Sequence, residues 1–187
     1  MSRYRRNYVP GGTYFFTVVS HLRCPILCSE TSRRALRRAI DKTRAKMPFE
    51  IAAWVLLPDH LHCIWTLPTG DSDYPSRWQG IKEEFTRTYL STGGLETPPS
   101  ESRRRHRERG VWQRRYWEHT CGDEDDLKRC ADYVHWNPKK HGLVDNVRDW
   151  PHSTFHRFVQ EGEYTIDWGR DDPTRGYDDP EWGESRS

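Results

Sequence analysis

His60 and His62 stand two residues apart in an apolar run, and Tyr133 and Asn137 stand four apart in another. Side chains at i and i+2 share one face of a strand, and side chains at i and i+4 share one face of a helix. Two parallel imidazoles offer half of a metal site, and the amide oxygen of Asn137 is a third donor for a hard divalent cation. Such a mixed nitrogen and oxygen set accepts Mg2+ or Mn2+, with open positions left for water and phosphate oxygens. The Tyr133 phenol is then a nucleophile for a scissile phosphate whose developing charge the cation neutralises. A free phenol has a pKa near 10, so the metal or an adjacent base must assist it. Each residue also has an ordinary reading: histidines on the open face of a sheet, a tyrosine at the core edge, an asparagine ending a helix before a proline.

The elements that must position these groups follow from periodicity. AWVLLPDHLHCIWTLP, residues 53–68, reads as two strands of a buried hairpin broken at Pro58 and Asp59, with Leu61, Cys63 and Trp65 opposite the histidines. TYFFTVVSH, residues 13–21, is the first strand. Ser29 or Ser32 caps a helix with Leu36, Ala39, Ile40 and Thr43 at helical spacing, ending before Pro48. A second helix spans about residues 76–89, with Trp78, Ile81, Phe85 and Tyr89 as its buried stripe. VWQRRYWEH, residues 111–119, is the fourth strand. A third helix opens near Asp123 with acids in its first turn and is expected to stop at Pro138. Strand, helix, strand, strand, helix, strand predicts an α+β, ferredoxin-like (split βαβ) antiparallel sheet with helices on one face. The additional helix carries the nucleophile, and an aromatic extension over residues 149–169 adds a layer.

At 187 residues the chain fits one domain, taken as residues 1–169, followed by an acidic, flexible tail over 170–187. Aromatics at 13% argue against wholesale disorder. No apolar run reaches membrane-spanning length and no signal-like stretch follows the basic start, so a cytoplasmic protein is expected. The net charge of +2 hides an uneven layout. Residues 33–46 hold seven bases and one acid, residues 101–115 seven arginines and two glutamates, and residues 167–187 seven acids and three bases. The two basic regions suit a polyanion, although a solvated helix face looks the same. Arg3, Arg5 and Arg6, interleaved with Tyr4 and Tyr8, and the pair Arg114 and Arg115 are the candidate DNA contacts. Alternation along a strand would let only one of Arg114 and Arg115 face the site. Residues 91–110, rich in Gly, Pro, Ser and Arg without hydrophobic periodicity, read as a mobile basic loop. Five cysteines without framework spacing are expected as reduced thiols, and Cys24 and Cys28 with histidines leave open a structural zinc protein.

PDHLHCIW resembles the His-hydrophobic-His motif of the single-tyrosine HUH transposases. WQRRYWEH, then DYVHWNPKKHG, then DWPHSTFHR are similar to the REP-associated tyrosine transposases within that superfamily, and YVPGGTYFFTV and FEIAAWVLLPDHLHCIW fit the same family. The resemblance spans about residues 4–168, with its blocks in order. It implies that His60 and His62 are metal ligands, that Asn137 is the third, and that Tyr133 attacks single-stranded DNA to leave a 5′-phosphotyrosine link and a free 3′-hydroxyl. It also implies a substrate: REP-type DNA hairpins with a flanking tetranucleotide read as single strand, cut and rejoined with Mg2+ or Mn2+. The arginine-rich stretch at residues 93–110 reads as an insertion relative to shorter members of the family. The competing class is a catalytically silent hairpin-binding protein.

Overall fold

Every residue of Thr13–Val19 is aromatic or β-branched, the composition that packs best on a pleated surface, and this segment becomes the central strand β1. In the computed structural model, which describes residues 6–106 and 108–175, β1 pairs antiparallel with β3 (His60–Thr66) on one side and β4 (Trp117–Thr120) on the other. Strand β2 (Glu50–Leu56) completes the order β2-β3-β1-β4. Helices α1 (Glu30–Lys46) and α2 (Tyr74–Ser91) connect the strands as a split βαβ fold requires.

Strict alternation along β1 and β3 sorts their side chains onto two faces. Tyr14, Phe16, Leu61, Cys63 and Trp65 pack under α1 and α2, joined by Leu36, Ala39, Trp78, Ile81 and Phe85. Ser29 caps α1 by accepting from the Ser32 amide at 3.2 Å, an interaction worth about 1 kcal/mol. Phe15 and Ile64, with Ala53 and Val55 from β2, face the other way, against Cys130, Tyr133 and Val134 of α4 (Glu124–Lys140). The face opposite α1 and α2 is therefore covered by α4, the helix that carries Tyr133.

Three expectations need correction. The third long helix does not stop at Pro138 but runs to Lys140. A proline forfeits only its own N–H, and the chain beyond it stays helical, with the His141 amide on the Asn137 carbonyl at 3.0 Å and Gly142 ending the turn at φ 65°. The fourth strand is shorter than residues 111–119. Thr17 pairs with Trp117 and Ser20 bridges Trp112, so residues 113–116 stand opposite only Val18 and Val19. This bulge turns Tyr116 toward Phe16 and Trp78 and puts both Arg114 and Arg115 in solvent, so strand alternation does not choose between them. Finally, the stretch read as a mobile basic loop carries a short helix, α3 (Glu101–Arg105), capped by Ser100. Its base is closed by Glu96 accepting from Arg109 and by the Thr97 amide on the Gly110 carbonyl. A Cβ at Gly110 would sit 1.8 Å from the Thr97 carbonyl oxygen, so this closure requires glycine.

The aromatic extension covers the β2 edge. Leu56 donates to the His152 carbonyl, Thr154 exchanges backbone and side-chain bonds with Trp54, and the Trp150 indole donates to the Leu56 carbonyl. Arg157 caps the carbonyls of Ile51 and Ala52 at the bulge in β2. An exposed edge is thereby blocked. Short helix α5 (Phe155–Gln160) then packs Phe155 with Val147 and Tyr164 behind α4. There His135 bonds Thr154 Oγ1 at 2.8 Å and Tyr164 Oη at 3.3 Å, and Tyr164 donates to Asp132 at 2.7 Å. No helix among the described residues is long and apolar enough to cross a membrane.

Burial pushes the His135 imidazole down to about 3. The unfolded chain, whose histidine titrates near 6.5, then takes up the proton first, so stability is whole above that value and is lost as pH falls toward 3. Asp132, pushed up by burial, acts in the opposite sense at the acid end, and His21 and His152, both lowered by burial, add in the same sense as His135. Thermal unfolding should show a falling Tm from about pH 6.5 to about pH 4.5, and His135→Gln should flatten most of that slope.

Candidate active site

The hairpin between β2 and β3 turns at Pro58 and Asp59 and delivers His60 and His62 at the start of β3, both buried, with ring centroids 4.8 Å apart. Each ring is oriented through Nδ1. His60 Nδ1 lies 2.6 Å from Asp59 Oδ1, and His62 Nδ1 lies 2.9 Å from Thr17 Oγ1 on the paired strand. Burial pushes the Asp59 carboxyl up, but the hydrogen bonds from His60 and then Arg23 outweigh it and hold the group at about 2. Asp59 is thus a carboxylate that fixes the His60 tautomer, the arrangement usual behind a metal-ligating imidazole.

Helix α4 lays a stripe of side chains across this pair. The Tyr133 ring meets His62 edge-on at 5.4 Å and Phe15 at 5.8 Å. Two turns on, the His141 ring lies 5.0 Å from His60. Asn137, four residues from each, is on the same face between them, fully buried. The stripe therefore brings Asn137 opposite the two histidines. Buried polar atoms without hydrogen bonds are rare and call for an explanation. Among the described residues, His60 Nε2 and both polar atoms of the Asn137 amide have none. The His60 nitrogen and the Asn137 amide oxygen suit a divalent cation of borderline to hard character, which would satisfy both at once.

Lys140 comes from the same helix. Its Nζ donates to the Tyr133 hydroxyl at 3.0 Å and lies 4.5 Å from the ring centroid. An ammonium on the phenol oxygen stabilises negative charge there. Lys140, His141, Asp59 and Thr17 were not among the residues expected from sequence. The signal for Lys140 and His141 is present as spacing of seven and eight from Tyr133, and it becomes visible once the helix is carried through Pro138.

The candidate DNA contacts divide. Arg3 and Arg5 lie outside the described residues. Arg6 is already engaged: it donates to Tyr116 Oη at 2.8 Å, stacks over that ring at 4.6 Å and lies 3.8 Å from Glu118. Arg114 is exposed and pairs with Glu108 at 2.9 Å, and Arg115 is exposed. Both follow Gln113, whose amide bonds the carbonyl of Val19, the residue paired with His60. They therefore sit at the histidine end of the sheet. Cys24 contacts Thr97 and Cys28 the Leu56 carbonyl, and neither belongs to a group of three clustered His, Cys, Asp or Glu donors among the described residues. The zinc reading built on them is set aside.

Comparison with known proteins gives a consistent picture. The family model described as "Transposase IS200 like" matches residues 9–137. The REP-associated tyrosine transposase of Escherichia coli K12 is 47% identical over 171 residues, covering 91% of this chain and 93% of the relative. A putative REP-associated tyrosine transposase of Haemophilus influenzae is 41% identical over 169 residues, 90% of this chain and 94% of the relative. A solved structure described as a REP-associated tyrosine transposase bound to a REP hairpin superposes with a TM-score of 0.75 at 46% identity, covering 91% and 93% of the two chains.

Proposed function

The chain belongs to the REP-associated tyrosine transposases of the IS200-like family, and on that premise we propose that it cuts and rejoins single-stranded DNA beside REP-type hairpins, with Tyr133 as nucleophile. One observation carries the reading: Tyr133, Asn137 and His141 form a single helical stripe laid across the buried pair His60 and His62.

His60, His62 and Asn137 would hold Mg2+ or Mn2+, which supplies charge neutralisation at the scissile phosphate. The residues do the rest. His62 and Phe15 wall the Tyr133 ring from two sides, so the phenol has little freedom and needs no reorganisation before attack. Tyr133 Oη forms the new bond to phosphorus while the bond to the 3′ oxygen breaks. The phenolic proton leaves Oη, the departing 3′ oxygen gains one, and the 5′ phosphate stays on the tyrosine. Lys140 stabilises the oxyanion before attack and again when Oη leaves. In rejoining, a 3′-hydroxyl attacks the phosphotyrosine and the same bonds exchange in reverse, so no external energy source is needed.

Basic surface supports a polyanionic substrate. Arg114 and Arg115 flank the histidine end of the sheet. A cleft of about 670 Å3 between α1 and the covered edge of β2 is lined by Arg33, Arg34, Arg37, Arg44 and Arg157. Contacts of this kind attract phosphates irrespective of sequence and weaken steeply with salt. The test is a hairpin oligonucleotide with a single-stranded flank, incubated with the full chain and Mn2+. A covalent adduct carrying the 5′ side of the cut, plus a free 3′-hydroxyl fragment, is the expected product. Cleavage without a protein-linked strand would sink the tyrosine mechanism.

A further inference from the structure

A second set of metal donors stands apart from the histidine pair, where the end of β4 meets the first turns of α4. His119 and Cys121 are two apart on an extended segment, whose pairing continues through the Cys121 amide on the Thr13 carbonyl at 2.9 Å, so both point to one side. Asp126 and Cys130 are four apart on α4 and share a helix face. The fold presses those faces together. A nitrogen of His119, a carboxylate oxygen of Asp126 and the Cys130 sulfur all lie within 4.8 Å of one another, with His119 Nε2 at 2.8 Å from Asp126 Oδ2. Cys121 is not one of those three, but it is half-buried and packs against the same cluster that holds Cys130.

We propose that His119, Cys121, Asp126 and Cys130 form a structural zinc site that clamps the edge of the sheet to the nucleophile-bearing helix. Two sulfurs, one imidazole and one carboxylate make a four-donor tetrahedral set, and thiolates select zinc over the hard cations suited to the other site. Two thiolates and a carboxylate around a divalent ion leave one surplus negative charge, and Arg129, 3.6 Å from Asp126, is placed to offset it. His119 is 37% exposed, which provides an entry path, while Cys130 is buried and shields the site from behind. Metal binding must displace the thiol protons, so affinity falls as pH falls. Cys130 lies one turn before Tyr133, and both pack against Phe15, which pairs with His119 across β1 and β4. A metal there would tie the register of the nucleophile to the sheet that carries the histidines.

The test uses the full chain without a histidine tag, loaded with cobalt(II) in place of zinc under reducing conditions. Wild type should develop near-ultraviolet thiolate-to-cobalt charge transfer, a band the thiol-free histidine pair cannot give, and zinc should abolish it. Cys130→Ser and Cys121→Ser should each lose that band, to under a tenth of wild type. Cys24→Ser and His62→Ala should keep it, which separates this site from the histidine pair and from the other cysteines. Cys121 is only half-buried, so its variant reports even if Cys130→Ser fails to fold. Absence of the band in folded wild type, or its persistence in Cys121→Ser, would overturn the proposal.

Discussion

Tyr133→Phe is expected to leave hairpin affinity near wild type while abolishing the covalent adduct and lowering cleavage on the order of 10⁴-fold or more, the scale seen when a nucleophile is removed from a cooperating set. The reason is geometric. The ring of Tyr133 is 3% exposed and packs on His62 and Phe15, and phenylalanine keeps all of that packing. The hydroxyl is removed, and with it the bond from Lys140. The stability change should stay within about 1 kcal/mol, the usual net worth of one hydrogen bond. Gel-shift titration, denaturing electrophoresis of the adduct and thermal unfolding separate these three effects. An adduct in the variant equal to wild type would move the nucleophile elsewhere.

Asn137→Leu should show the opposite pattern of stability and function. In the metal-free protein Asn137 buries an amide with neither polar atom hydrogen-bonded among the described residues, at a cost of about 1–3 kcal/mol. Leucine has similar volume and nothing to satisfy, so the metal-free variant should melt higher than metal-free wild type. Mn2+ should raise the Tm of wild type, because a ligand that binds only the native state stabilises it by mass action. It should not raise that of the variant, and cleavage at saturating hairpin should fall by at least about 10-fold, in the range for disturbing a metal's ligand environment. If the variant keeps the Mn2+ response, Asn137 is a core residue and the third donor must be sought elsewhere on the stripe.

Residue types and periods alone determined much of this protein. Alternation in residues 13–19 and 60–66 decides which side chains share a face, because a strand repeats every two residues and a one-residue slip would exchange the two faces. The pairing of His60 with His62, and of Tyr133 with Asn137, follows from that local geometry, as do a cap at Ser29 or Ser32, which the structure resolves to Ser29, and the stripe Trp78, Ile81, Phe85 and Tyr89. Family motifs placed at these positions added the chemistry.

Tertiary structure decided what no local period encodes. Whether α4 lies over the histidine face depends on Phe15, Ala53, Val55 and Ile64 together, residues from three strands that meet only when the sheet forms. The run of α4 past Pro138 was hidden because a proline's local cost argues for a stop, whereas packing of a long apolar face outweighs one missing hydrogen bond. With it were hidden Lys140 on the Tyr133 hydroxyl and His141 beside His60. The bulge that exposes both Arg114 and Arg115 is set by pairing with β1 at Thr17 and Ser20, long-range contacts that the sequence of residues 111–119 does not carry. The two histidines and the tyrosine were readable one element at a time, and their meeting was not, because it is the core between β3 and α4 that brings them together.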